Sequence, residues 1–410
     1  MTHNYINNYF LILFILIPIS LIVGPTISLI NIILIDLSFL ILIIYQKDFS
    51  FVKSEIFKYL LIFYLYLMLN SLMSFDKEIG MYRNLGFVRI IILLIAINYF
   101  FKDKKFFNKV LNFWILFILI VLLDVFFEAF TGKNVLGYGE SYGRRVVSFF
   151  KDEPIVGGYL NAFYLILIGF LHENKSKKYK NLILLFSIVL FAAIFFTGER
   201  SNSIKALFGI MLFYTFFRDY KLKYKLILTI SSIVIILSII LNSNFLKQRY
   251  VGQIKPLLTD NQIYFKIYKS AYQMFKENIF FGVGNKNYRV ISCSKENIIN
   301  NNPKDMKYRC GTHPHQIYFE LLSEHGVVGT ILILYIFYKI IFFHLIFRFR
   351  ELNYIQLGSG VYILLTFLPL IPSGSMFSDY LITILGINIG IFYASNRNFN
   401  IFLSSNKKIE

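Results

Sequence analysis

The sequence predicts an all-α, polytopic integral membrane protein, on three observations. Of 410 residues, 57% are hydrophobic and only 16% charged, with a mean hydropathy of +0.61; soluble domains carry about 25% charged residues. Apolar runs of membrane length recur from one end to the other. The Lys and Arg concentrate in every second loop between those runs. A soluble enzyme of this composition would expose large apolar patches, and the same composition excludes a disordered chain and a disulfide scaffold. The formal charge of +19 does not point to nucleic acid, because the cations are scattered between apolar runs and do not gather on one soluble face.

About twelve transmembrane helices are expected, over 9–23, 27–45, 57–74, 84–101, 107–127, 155–171, 182–197, 203–217, 224–241, 327–347, 355–371 and 380–393. Runs 203–217 and 380–393 are short enough to be tilted, extended or re-entrant. Near Val23 there is no small-residue cleavage pattern, and the apolar run resumes after Gly24-Pro25. The first segment is therefore expected to be a retained span, not a signal peptide. An N-in/C-in arrangement puts Lys47, Lys53 and Lys58 inside, then Lys102, Lys104, Lys105 and Lys109, then Lys175, Lys177, Lys178 and Lys180. Arg218, Lys221, Lys223 and Lys225 follow, then Arg348 and Arg350, with Arg397, Lys407 and Lys408 in the tail. Outside loops 24–26 and 372–379 hold none, as the positive-inside rule requires. Three regions result: 1–241 with spans one to nine, 242–326 as a long external loop before the tenth span, and 327–410 with the last three spans and the tail. A second long outside loop covers 128–154. Within 242–326, Ile267, Ala271, Met274 and Phe275 share one helical face, with Lys266, Lys269 and Lys276 elsewhere. The Asn-rich stretch 297–303 reads as a mobile turn.

Most of the chemistry gathers in 312–329. Pro314 suits a first helical position, Gly326 a C-terminal cap, and Leu321 and Leu322 a buried face. His315 then falls in the first turn, where the helix dipole disfavours imidazolium and keeps the ring neutral and competent as a base. Glu320 and Glu324 could orient that histidine or lie on a solvated face. Arg89, Arg144, Arg145, Arg200, Lys205, Arg249 and Arg289 all fall on or near the outside face. Arg200 stands at a membrane boundary beside Glu199, so it should face a cavity and have a partner. Asp36 and Asp124 are intramembrane acids, suited to function or to hydrogen bonding between helices. Asp152 and Glu153 form an acidic pair in a loop. Gly282-Val283-Gly284 lacks the strand–turn–helix setting of a nucleotide cradle. No His, Cys or Asp grouping has metal-ligand spacing.

Four stretches accompany 312–329: Thr197-Gly198-Glu199-Arg200-Ser201; the Gly282-Val283-Gly284 segment that runs to Arg289; Arg145–Glu153 followed by Gly157-Gly158; and Cys293 with Cys310. Together they resemble the O-antigen ligase/polymerase family of membrane glycosyltransferases, with a GT-C-like fold. The resemblance covers 145–171 and 197–329 and is specific around Arg200 and His313–Gly329. It implies an O-antigen ligase-like enzyme at the periplasmic face of the bacterial inner membrane. A glycan would pass from undecaprenyl pyrophosphate to a lipid A–core sugar, with inversion. The family implies no metal, no nucleotide sugar and no cofactor, and membrane lipid rather than nucleic acid as its surroundings. His315 and Arg200 would be catalytic, with Arg289, Arg249, Arg145, Glu199 and His313 binding substrate. His313 is the lesser candidate for the base. Arginines suit a pyrophosphate leaving group because their planar fork holds its developing charge. Two departures stand out. Gln316 replaces the commoner Asn, and the loop helix begins with Gln262 or Tyr264 where many members have Arg, so Arg249 or Arg289 would have to substitute. Cys293 and Cys310, the only cysteines, should pair in a compartment where disulfides persist. A polymerase that extends lipid-linked glycan is the alternative, and a transporter or flippase a lesser one. The histidine segment favours the ligase.

Overall fold

The computed structural model describes residues 2–139, 145–151, 153–252, 263–294, 310–369, 371–396 and 400–402. Helices carry these residues, and no strand occurs among them. The Asn-rich stretch 297–303, Arg144, Asp152 and Gln262 lie outside the described residues.

Helices α1 (Thr2–Ile15) and α2 (Ile17–Val23) form one bent pair, broken by 42°. Pro18 in the first turn of α2 has no amide hydrogen to continue the ladder. Pro25 then opens α3 (Pro25–Gln46), the position proline tolerates best. Ser54, Asp76 and Asp103 cap α4 (Glu55–Leu72), α5 (Lys77–Leu85) and α7 (Lys104–Thr131), with α6 (Val88–Phe101) between. The chain continues through α8 (Val156–Asn174), α9 (Lys180–Phe196), α10 (Arg200–Phe216), α11 (Leu222–Asn242) and α12 (Asn244–Lys247). Next come α13 (Ile263–Glu277) and α14 (Tyr288–Cys293). The helix α15 (Ile317–Phe337) follows, running through a π-helical turn into α16 (Phe343–Phe347). Last are α17 (Tyr354–Thr366) and α18 (Asp379–Ala394).

Among the described residues seven helices are long and apolar enough to cross a membrane, or eight with the bent pair. The twelve expected segments all fall on helices, but α9, α10, α17 and α18 have 17, 17, 13 and 16 residues, fewer than the roughly 20 of a straight span. Of these, α10 and α18 start and α17 stops at one cavity, which their end residues line. Behind it, α8 and α17 pack backbone to backbone. A Cβ on Gly169 would lie 2.2 Å from Tyr354 O, and one on Gly358 2.1 Å from Leu165 O. Small residues allow helices this approach in an apolar surrounding, where packing is a main source of association.

The most irregular element is α15, whose backbone breaks at Gly326 (φ 61°, ψ −168°). Residues 279–284 fill the break as a strap. Val283 and Gly284 donate to the carbonyls of Ser323 and Glu324 (both 2.9 Å), while Val327 and Val328 donate to Ile279 and Phe280 (2.8 and 3.1 Å). Asn70 of α4 reinforces the crossing by donating to Glu324 O (3.2 Å) and accepting from Asn285 N (2.8 Å). The Gly282-Val283-Gly284 element is thus a clamp on a broken helix. The strap satisfies backbone groups that would otherwise be buried without partners.

The expected face of α13 exists, with Ile267, Ala271 and Met274 buried against Val283, Tyr288 and Ile291. Asp124 and Glu128 are structural. Asp124 accepts from Val135 N (3.0 Å) and Ser148 Oγ (2.5 Å), and Glu128 from Val147 N and Ser148 N (2.9 and 2.6 Å). Asp36 is buried, and neither of its carboxylate oxygens has a hydrogen-bond partner.

Candidate functional site

A cavity of about 910 Å³ opens between α8, α10, α13, α17 and α18 and the segment before α15. Arg145, Glu199, Arg200, Arg249, His313 and His315 all line it. Residues far apart in the chain thus line one cavity.

Arg200 opens α10 because the chain reverses at Gly198, which adopts φ 72°. Thr197 Oγ donates to Ile194 O (2.7 Å) and accepts from Glu199 N (3.2 Å), fixing the turn. The Glu199 carboxylate accepts from the first-turn amides of α8, Gly157 N (2.6 Å) and Gly158 N (3.2 Å), and from Asn202 Nδ2 (2.7 Å). An anion on a helix N-terminus is favourable. Burial pushes this carboxyl up to about 7, while those hydrogen bonds and Arg145 act in the opposite direction. The Glu199 oxygens thus hold α8 against α10 and are not paired with Arg200. Among the described residues Arg200 forms no ion pair and no hydrogen bond through its side chain.

Arg249 sits in the turn Gln248–Gly252, and its Nε donates to Gly198 O (3.1 Å). The neighbouring Tyr250 stacks on Phe195 (4.3 Å) and bonds Ser203 Oγ (2.7 Å) and Phe195 O (3.1 Å), which ties this turn to the α9–α10 junction. Arg145 follows from the acids of α7, which hold Val147 and Ser148 two and three residues further on. Its Nε is buried with no hydrogen-bond partner. Burial first, then the charges of Arg145 and Arg200, lower the Arg249 pKa from its ordinary value. Mutual repulsion among close cations is relieved by an anion placed between them. Arg289 is different: it is exposed on α14 and does not line the cavity. The arginines that gather around Arg200 are Arg145 and Arg249.

In the same cavity the His313 and His315 rings lie 4.1 Å apart. Tyr264 stands edge-on to His315 at 6.0 Å, and Thr312 Oγ bonds His313 Nδ1 (2.9 Å). Pro314 does not open the helix, as the sequence had suggested. Gln316 is the N-cap of α15, its side chain accepting from Phe319 N (3.0 Å). His315 thus precedes the helix, outside its first turn, and the dipole argument fails for it. Its pKa is lowered by burial instead. That of His313 falls to about 3, through burial first and then the charges of His315 and Lys286. Both rings are neutral at physiological pH, the state a base requires.

Neither Glu320 nor Glu324 is solvated, and neither bonds His315. Both are fully buried. Glu320 accepts from Ser375 Oγ (2.5 Å) and Met376 N (2.9 Å), with Lys286 Nζ at 4.0 Å. It anchors the turn before α18, whose Ser373 N donates to His315 O (2.8 Å). Glu324 accepts from Tyr288 N (3.1 Å) at the start of α14. Cys293 and Cys310 are bonded to each other, Cα–Cα 4.4 Å, and join the end of α14 to the segment carrying the histidines. Asn161, Lys205, Tyr264 and Tyr380 also line the cavity. Of these, Tyr264 carried a sequence signal as the residue standing in place of an arginine, and Lys205 as a cation near the outside face. Asn161 and Tyr380 are ordinary in isolation. Among the described residues no group of three His, Cys, Asp or Glu is placed to hold a metal.

A bundle of apolar helices with an arginine-lined, histidine-faced cavity defines a multi-pass membrane protein with a site suited to an anionic ligand. Residues 185–334 match the family model for O-antigen ligase, a stretch holding Arg200, Arg249, both histidines and both cysteines. That match supports a membrane protein of the O-antigen ligase/polymerase family. No curated protein matches it significantly.

Proposed function

We propose that the chain transfers a glycan from undecaprenyl pyrophosphate to a lipid A–core sugar at the periplasmic face of the inner membrane, in a twelve-span, N-in/C-in arrangement. One observation carries this reading. Arg145, Arg200 and Arg249 converge in the cavity that His313 and His315 face, most of it within the family-matched stretch. The arginines hold the pyrophosphate and take up the charge that develops as it leaves. His315 accepts the acceptor hydroxyl proton as that oxygen attacks the anomeric carbon. The new C–O bond forms as the bond to pyrophosphate breaks, the electron pair leaves with the pyrophosphate, and attack from the opposite side inverts the centre.

Transfer from purified undecaprenyl-pyrophosphate glycan tests this. His315→Ala should slow turnover about 10²- to 10⁴-fold with donor binding retained. Arg200→Ala should weaken both binding and rate, and Arg200→Lys should restore only part, since a point charge lacks the fork. Wild-type turnover in His315→Ala would move the base to His313, and loss of wild-type activity in chelator would remove the metal-independent mechanism. The surface lipopolysaccharide ladder of a deletion strain separates the two acceptors. Loss of all polymer from the core marks a ligase, and one retained unit on the core a polymerase.

A further inference from the structure

Beneath the three arginines the cavity changes character. Lys205 lies on α10 five residues beyond Arg200, which is roughly 7–8 Å along a helix. It lines the cavity, is only 8% exposed, and among the described residues makes no ion pair and no side-chain hydrogen bond. Asn161 of α8 and Tyr380 of α18 line the same hollow, and Asn161 Oδ1 and Tyr380 Oη have no hydrogen-bond partner. A Cβ added at Gly209 would lie 3.1 Å from both Leu165 and Leu365. Gly209 follows Lys205 by four residues and Leu165 follows Asn161 by four, so each shares a helix face with its polar neighbour. That apolar contact packs α8, α10 and α17 together one turn beyond Lys205 and Asn161. A buried ammonium without a counter-ion is costly, as are buried polar atoms without partners.

A diphosphate needs several cations, and the arginines supply them above. The floor offers one cation among neutral hydrogen-bonding groups, the pattern that fits a single negative charge on a body rich in hydroxyls. We propose that Lys205, Asn161 and Tyr380 form a subsite for an acidic sugar, a carboxylate-bearing first residue of the donor glycan. The carboxylate sits on Lys205 and the hydroxyls on Asn161 and Tyr380. This rests on the transfer reading above.

The test uses the full chain and two undecaprenyl-pyrophosphate donors whose first sugar carries either a carboxylate or a hydroxymethyl at C6. Wild type should favour the acidic donor at least tenfold in kcat/KM. Lys205→Met should bring that ratio to about one, and Lys205→Arg should keep much of it. No preference in wild type overturns the subsite. So does a Lys205→Met variant that slows both donors equally, which would make Lys205 a diphosphate contact, or one that loses its monodisperse elution, which would make it a packing residue. Calorimetry with a soluble glucuronate disaccharide and its reduced counterpart separates the two proposals. Binding that favours the acid and depends on Lys205, without transfer of either donor, leaves the subsite standing and removes the transfer reading. Absence of both removes both.

Discussion

His315 stands in the left-handed region of backbone space, at φ 58°, a conformation uncommon for residues other than glycine. Such strain persists only where the surroundings impose it. Here the turn before α18 does so, through Ser373 N on the His315 carbonyl, and Glu320 holds that turn from beneath. Because burial lowers the His315 pKa from its ordinary value of 6.5, the neutral form is favoured at neutral pH and is lost as pH falls through the lowered value. The acid limb of kcat/KM is therefore expected below pH 6.5 and should disappear in His315→Ala. A limb centred at or above 6.5 would contradict the assignment. Arg200 was legible because it stands at the end of an apolar run, and the histidines because the pattern over 312–329 sets them just before an aliphatic stretch. The cause of the neutral ring was not, since it depends on what covers His315 and not on its distance from a helix start. Glu199 shows the same limit: its hydrogen-bond partners Gly157 and Gly158 lie some forty residues earlier, where adjacency in the sequence cannot reveal them.

Among the elements, the strap 279–284 across the break in α15 decides how the histidine segment enters the bundle. Gly282 adopts φ 68°, and a Cβ there would stand 2.4 Å from the Glu324 carbonyl carbon. Gly282→Ala should cost at least about 1 kcal/mol, read as a lower melting temperature in detergent. Gly374→Ala is the control, because nothing lies within 4 Å of a Cβ at that position. An unchanged melt for Gly282→Ala would mean that the clamp contributes nothing. The existence of α13 and of most spans was legible, since 3.6-residue periodicity and long apolar runs are local signals. The clamp was not, because its two halves meet only when the chain folds back. The start of α15 was misplaced for a related reason. Proline at 314 is a permissive signal, and the Gln316 cap displaced it.

For the molecule as a whole, the proposed orientation rests on the cations in alternate loops. A reporter fused at Lys295 should behave as external and one at the C-terminus as cytoplasmic; cytoplasmic activity at Lys295 would take the arginines and histidines to the wrong side. Thiol blocking before lysis gives the same answer independently, because Cys293 and Cys310 should resist labelling as a bonded pair. In the chain-entropy model a loop of this size gains roughly 3 kcal/mol. Seven or eight helices of full span length, where twelve apolar runs were expected, reflect how a hollow is made within a bundle. Several helices shorten around it, and hydropathy registers the shortening without its purpose.

The break in α15 also imposes an order on biosynthesis. Residues 279–284 leave the ribosome before residues 323–328, so the strap's backbone partners already exist when that stretch of α15 forms. The span can then complete its backbone bonding as it inserts, and the carbonyls of Ser323 and Glu324 need never meet lipid bare.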